Sequence, residues 1–323
     1  MKRGRVVLLL VVAGLLSGCV EHILTLRVLP DGSNSLRLRS RGDYRDVFDT
    51  DFPHPADWLS DTSWTLNTSD TTWIWESNTF SRDSLYVFGP PDHPVALLHR
   101  TIVPGTFSHT YAVRLRFPGW GVYSRYPALG PVLRDEAPLD STQWQADVLR
   151  YLYSRAIRRV PLDSSRTGLS RERLIHHVNL FLAHEYQPVP GQLPDHRDFL
   201  LSVLTPFQRR LPAGYVDSLV AALRPDLAEL QLLQSLKDDA FTIKMVLPGR
   251  LAFTTADSLR RDTLIWHVEL KDYLQDDLLL AAESVLISTR AFQRWVSLGT
   301  GGILLVLVVI VLVYLQVRRR RIR

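Results

Sequence analysis

The hydrophobic period of this chain changes twice, and each change narrows the folds open to it. In "HILTLRVLPDGSNSLRLRS", Leu24, Leu26 and Val28 alternate with Ile23, Thr25 and Arg27. Leu36 and Leu38 alternate again after Pro30-Asp31-Gly32-Ser33. Alternation on both sides of a Pro-Asp-Gly turn predicts a β-hairpin. "SWTLNTSDTTWIWES" predicts a second one, with Trp64 and Leu66 before the turn and Trp73 and Trp75 after it. "HTYAVRLRF" sets Tyr111, Val113, Leu115 and Phe117 on one face and Ala112, Arg114 and Arg116 on the other. That is the pattern of a sheet buried on one side. Trp64, Trp73, Trp75 and Trp266 then read as core or cross-strand residues.

From Ser141 the period becomes helical. Trp144, Val148, Leu152 and Ala156 recur at steps of four, with Leu149, Tyr153 and Ile157 beside them. Ser170 stands as N-cap to "RERLIHHVNLFLAHEY". Helices are also expected over 195–209 and 214–236, with Pro225 breaking or kinking the second. Alternation returns in "AFTIKMVLPGRLAFTT", "DTLIWHVELKDY" and "LLLAAESVLIST". The expected fold class is α+β: a β-rich exported domain formed from both ends of the ectodomain, 19–135 and 239–290, with a helical insertion over 136–238. Two separate β pieces flanking a helical bundle fit the same pattern.

The termini predict a destination. Lys2, Arg3 and Arg5 precede an apolar stretch over 6–16, and Ser17-Gly18 are small, which is the layout of a signal peptide over 1–18. Leu16-Ser17-Gly18-Cys19 resembles the lipobox of bacterial lipoproteins. In that family the cysteine thiol receives a diacylglyceryl group and a peptidase cuts before it. Cys19 is the only cysteine, so no intrachain disulfide competes for it. At the other end, residues 298–317 carry no charge, which predicts a single transmembrane helix over 296–317. Trp295 and Tyr314 lie near its ends, and the basic tail 318–323 follows. The expectation is a single-pass protein of the bacterial cytoplasmic membrane, with its body on the extracytoplasmic side and its C-terminus inside.

The net charge of +5 follows from these ends. Eight of the 38 basic residues lie in them: Lys2, Arg3, Arg5, Arg318, Arg319, Arg320, Arg321 and Arg323. The remaining 30 face 33 acidic residues, a net of −3 for the body. Such a body argues against a nucleic-acid partner.

A family likeness rests on four features in order: the lipobox cysteine followed at once by an alternating strand, the Asp31-Gly32 turn, Leu247-Pro248-Gly249, and the Trp266 strand. Together with the uncharged C-terminal stretch, they resemble the LppM-type tail-anchored lipoproteins of bacterial envelopes. About a third of the chain carries the likeness, and the helical middle departs from it. The resemblance implies a β-rich exported domain and binding of an envelope lipid or glycolipid. It brings no catalytic residues.

Catalytic signatures are scarce. The sequence has no GxSxG elbow, no GxxxxGK[ST] loop and no GxGxxG fingerprint. His177 and His184 are seven apart, with Glu185 adjacent, which is the pattern of one helix face. Two helical turns separate them by about 10 Å along the axis, too far for the zincin arrangement, and position 188 is Pro. A tethered hydrolase using these three residues is the alternative to a non-enzymatic protein. The aromatic stretch "FPGWGVYSRYPALG" carries Trp120, Tyr123 and Tyr126 among Gly and Pro, which predicts a loop. Such rings line a lipid or sugar site, or plug the edge of a core. The expected function is therefore an acylated, non-enzymatic membrane protein that binds an envelope lipid, a glycolipid or a membrane-protein partner. No cofactor, metal or catalytic residue is expected; Cys19 is the lipidation site, and Trp120, Tyr123 and Tyr126 are the candidate ligand contacts.

Overall fold

The computed structural model describes residues 20–48, 52, 54–55, 57–66, 71–90, 93–138, 143–189, 193–287 and 289–321. Its first hairpin is the one the alternation dictates. β1 (Glu21–Val28) and β2 (Asn34–Gly42) pair antiparallel from Glu21↔Arg41 to Val28↔Asn34. At the turn, Asp31 accepts from the Ser33 amide and hydroxyl, and Gly32 takes φ 84°, a region that favours glycine. The short helix α1 (Tyr44–Val47) follows, capped by the Asp43 carboxylate. A second hairpin joins β3 (Leu59–Leu66) to β4 (Thr71–Ser81), and β4 pairs with β2.

Three more strands form the next meander: β5 (Leu85–Phe88), β6 (Ala96–Pro104) and β7 (Ser108–Phe117). The chain then leaves the sheets for its helical part. Two short helices, α2 (Val122–Arg125) and α3 (Leu129–Leu133), lead to α4 (Gln143–Arg159) and the single turn α5 (Ser164–Thr167). α6 (Arg171–His184), α7 (His196–Leu204) and α8 (Tyr215–Ser235) complete this part. The Ser170 hydroxyl caps α6 through the Arg173 amide. α8 runs through Pro225 as one helix rather than breaking there, because tertiary contacts on both sides of the proline hold it.

Strands resume with β8 (Ala240–Val246), β9 (Arg250–Thr254), β10 (Ser258–Arg260), β11 (Thr263–Glu269) and β12 (Leu278–Ile287). The result is a mixed α+β fold with two sheets. One has seven strands in the order β10-β11-β8-β1-β2-β4-β3; the other has five, β5-β6-β7-β12-β9. Neither sheet is local. β8 lies parallel to β1, and β12 sits between β7 and β9. The sheets face each other across one core, where Phe117 of β7 meets Phe241 of β8 at 5.7 Å between ring centroids. Each fully buried Leu, Val or Phe there contributes roughly 1.5–3 kcal/mol.

The C-terminal helix α9 (Thr289–Arg321) corrects an expectation. Among the described residues no helix is long and apolar enough to cross a membrane. The transmembrane helix expected over 296–317 is not borne out. Neither is the single-pass placement in the cytoplasmic membrane that rested on it. The signal peptide over 1–18 and Cys19 lie outside the described residues.

Candidate functional site

The segment expected to be an aromatic loop is instead pinned to the chain between β11 and β12. Gly119 donates its amide to the Asp277 carboxylate at 2.8 Å. Trp120, Gly121 and Val122 donate to the carbonyls of Tyr273, Gln275 and Leu274, and Tyr123 donates to the Gln275 side chain at 3.0 Å. A Cβ at Gly119 would lie 2.5 Å from the backbone of Asp276, so this approach requires glycine. Gly121, at φ 60°, then turns the chain into α2.

These constraints fix the three aromatic residues differently. Trp120 is 8% exposed and Tyr126 is fully buried, edge-on to Tyr151 at 4.8 Å. Tyr123 is half-buried, with the Arg134 guanidinium 5.1 Å above its ring. Burial raises the Tyr126 phenol well above its ordinary value. The Trp120 indole N–H and the Tyr126 hydroxyl are buried without hydrogen-bond partners.

Beside Trp120 opens a cleft of about 190 Å³ lined by His93, Pro94, Pro118, Gly119, Trp120, Arg125 and Glu229. Arg125 organises it. Its guanidinium is bonded to the Trp120 carbonyl and paired with Glu229 of α8. One turn earlier on α8, buried Asp226 is paired with Arg155 at 2.9 Å and Arg159 at 2.6 Å, both from α4. The cleft therefore joins the sheet end to the helical part, and it offers one indole, one guanidinium, one carboxylate and one imidazole. Of the three aromatic residues singled out in sequence, only Trp120 lines it.

The His177, His184 and Glu185 group takes another form. His177 Nε2 bonds the Val203 carbonyl at 2.9 Å, and its ring stands edge-on to Phe207 at 4.9 Å. His184 and Glu185 are exposed. Among the described residues, no group of three or more His, Cys, Asp or Glu could hold a metal ion.

A buried polar chain crosses the seven-stranded sheet, and sequence reasoning missed it. His22 Nε2 faces Asp239 Oδ2 at 3.4 Å, and His22 Nδ1 meets Ser40 Oγ at 2.7 Å. Ser40 Oγ also meets His54 Nε2 at 2.8 Å; His54 Nδ1 meets Ser77 Oγ at 2.7 Å, and Ser77 meets Ser60 at 2.8 Å. Asp239, His22 and Ser40 imitate the order of a hydrolase triad. Yet Ser40 is fully buried between two imidazoles, so no substrate carbonyl reaches its oxygen. Burial, and secondarily the charge of His22, lower the His54 pKa to about 3, so its imidazole is neutral. The available signal was a polar residue at the inward position of an alternating strand, as with Ser40 after Leu36 and Leu38.

No family model matches the chain, and no curated protein matches it. Among solved structures, the NMR structure of the folded domain of the Mycobacterium tuberculosis LppM protein is similar at a TM-score of 0.30. Identity is 7%, over 85% of this chain and 95% of that one. This is a weak likeness at the level of the fold, and it carries no argument about activity.

Proposed function

We propose that the protein is an acylated, non-enzymatic binding protein whose cleft beside Trp120 takes the sugar-bearing head group of a glycolipid. Acylation belongs to Cys19, on the strength of its lipobox sequence. The cleft supports the ligand class. An indole face offers a platform to the C–H face of a sugar ring, while Arg125, Glu229 and His93 offer donors and acceptors to its hydroxyls. Small-molecule sites combine an apolar wall with a few convergent polar groups in this way. The unpaired Trp120 indole N–H adds a buried donor at the same wall.

The observation that carries the reading is the meeting of Trp120 with the Arg125–Glu229 ion pair in one cleft. Native mass spectrometry of the purified full chain, followed by organic extraction, tests it. A sugar-bearing lipid held one per chain, and lost in Trp120→Phe or His93→Ala, is the expected result. A folded chain that yields no lipid sinks the glycolipid reading and turns attention to a membrane-protein partner, sought by crosslinking. Intact mass tests the anchor: wild type exceeds Cys19→Ala by more than the substitution.

A further inference from the structure

A surface on the far edge of the seven-stranded sheet plays no part in that cleft. Among the described residues β3 is an outermost strand bonded only to β4, and its described side chains, 59–65, are all exposed. Trp64 stands opposite Trp73, with ring centroids 6.5 Å apart. From α1 and the residue after it, Tyr44 meets Trp73 edge-on at 5.1 Å, and Phe48 stacks on Trp75 at 5.4 Å. Five rings thus form one cluster, whose outer members, Trp64 and Tyr44, are each 58% exposed.

The position of this cluster along the sheet matters as much as its composition. Gly42, the partner of Trp73, packs on Val20: a Cβ at Gly42 would lie 3.0 Å from Val20 Cγ2. Val20 is buried, and it directly follows Cys19 in the chain. Trp73 is therefore two strand spacings, about 10 Å, from β1, which begins at Glu21, right after Val20. Tyr44, Trp64 and Val20, the residue that follows the proposed acyl attachment point in the sequence, share one end of the sheet.

We propose that this aromatic edge lies in the interfacial layer of a lipid bilayer. The proposal rests on the reading of Cys19 as acylated. Indole and phenol rings have an apolar body and a polar tip, and they favour the head-group region of a membrane. The rest of β3 suits the same wet layer, since Ser60, Asp61, Thr62, Ser63 and Thr65 are hydroxyl or acidic residues. A dry protein interface would strip water from those groups without pairing them, at a cost that an interfacial layer does not impose.

An environment-sensitive NBD label decides the matter. It is placed on the full chain at Thr62→Cys, which is exposed and on the Trp64 face, or at Ser258→Cys on the opposite sheet edge. An acylated Cys19 has no thiol to label; where intact mass shows a free one, the same labels go into a Cys19→Ser background. The chain is mixed with vesicles of equal parts phosphatidylcholine and phosphatidylglycerol. At position 62 the expected result is a blue shift, a several-fold rise in emission, and quenching by brominated lipid. Position 258 stays aqueous, and Trp64→Ala with Tyr44→Ala reduces the signal at 62. An aqueous label at 62 on vesicle-bound chain overturns the proposal. So does a blue shift without vesicles that grows with protein concentration, which would mean that two copies pair edge to edge. Acylated mass with an aqueous label leaves the anchor reading standing and removes the edge. Unacylated mass with a lipid-buried label does the reverse.

Discussion

His54 stacks on Trp75 at 4.0 Å and is neutral inside the sheet, and this makes it a source of pH dependence. Its folded pKa of about 3 lies below the unfolded value of 6.5. Between those values the unfolded chain holds a proton that the folded chain does not. Stability is therefore full above pH 6.5 and falls as pH drops toward 3, by about 1.4 kcal/mol per unit. Asp46 opposes it. Burial and the neighbouring carboxylates of Asp43, Asp239 and Asp238 raise Asp46 to about 6, so the folded chain takes up that proton first. Asp46 is half-exposed, and solvent screening makes it the weaker of the two. Urea midpoints from pH 7 to 4 should fall in wild type, fall more steeply in Asp46→Asn, and flatten in His54→Gln. A flat wild-type profile would rule out a neutral buried His54. Gly119→Ala should cost about 1–3 kcal/mol, since the new Cβ meets backbone that has no room to move. This residue-level detail was poorly legible. Gly121 and Pro127 read as loop punctuation, whereas Gly121 is the entry to α2 and Tyr126 packs in the core behind it.

At the level of elements, alternation and helical spacing named the faces well. Tyr111, Val113, Leu115 and Phe117 are all buried on β7, as are Trp144, Val148, Leu152 and Ala156 on α4. Periodicity says which face a strand buries but not which strand lies beside it. The pairing of β1 with β8, and the ion pairs that tie α4 to α8, were therefore out of reach. Those ion pairs differ in weight. Asp226 is buried with Arg155 and Arg159 converging on it, so Asp226→Asn should cost about 1–3 kcal/mol in a denaturant titration. Arg197 and Asp217 are linked at 3.0 Å but both exposed, and Asp217→Asn should leave the midpoint where it is. Equal losses in the two variants would contradict this ranking.

For the whole molecule, the interleaving of early and late strands sets the folding unit. β8 lies between β1 and β11, and β12 lies between β7 and β9, so each sheet loses a central strand if the chain stops before Ala240. Residues 20–238 alone should show no cooperative thermal transition and no near-ultraviolet tyrosine or tryptophan signature. A cooperative transition in that fragment would mean that β1 to β7 form a self-sufficient body. Pairing strands so far apart in sequence also delays the reward for loop closure, which makes folding slow for a chain of this size.

Val20 is buried one residue after Cys19, and that leaves no leash. A lipid on Cys19 would be joined to the rigid sheet by a single peptide unit, so the body would swivel with its anchor instead of wandering on a flexible stalk. Its reach perpendicular to the bilayer would be its own height, and its encounters would be those of a disc sliding in two dimensions. The effective concentration of any partner in the same leaflet would then be set by lateral diffusion and orientation, not by tether length. Inserting a flexible Gly-Ser stretch between Cys19 and Val20 would loosen that geometry without touching a single core contact.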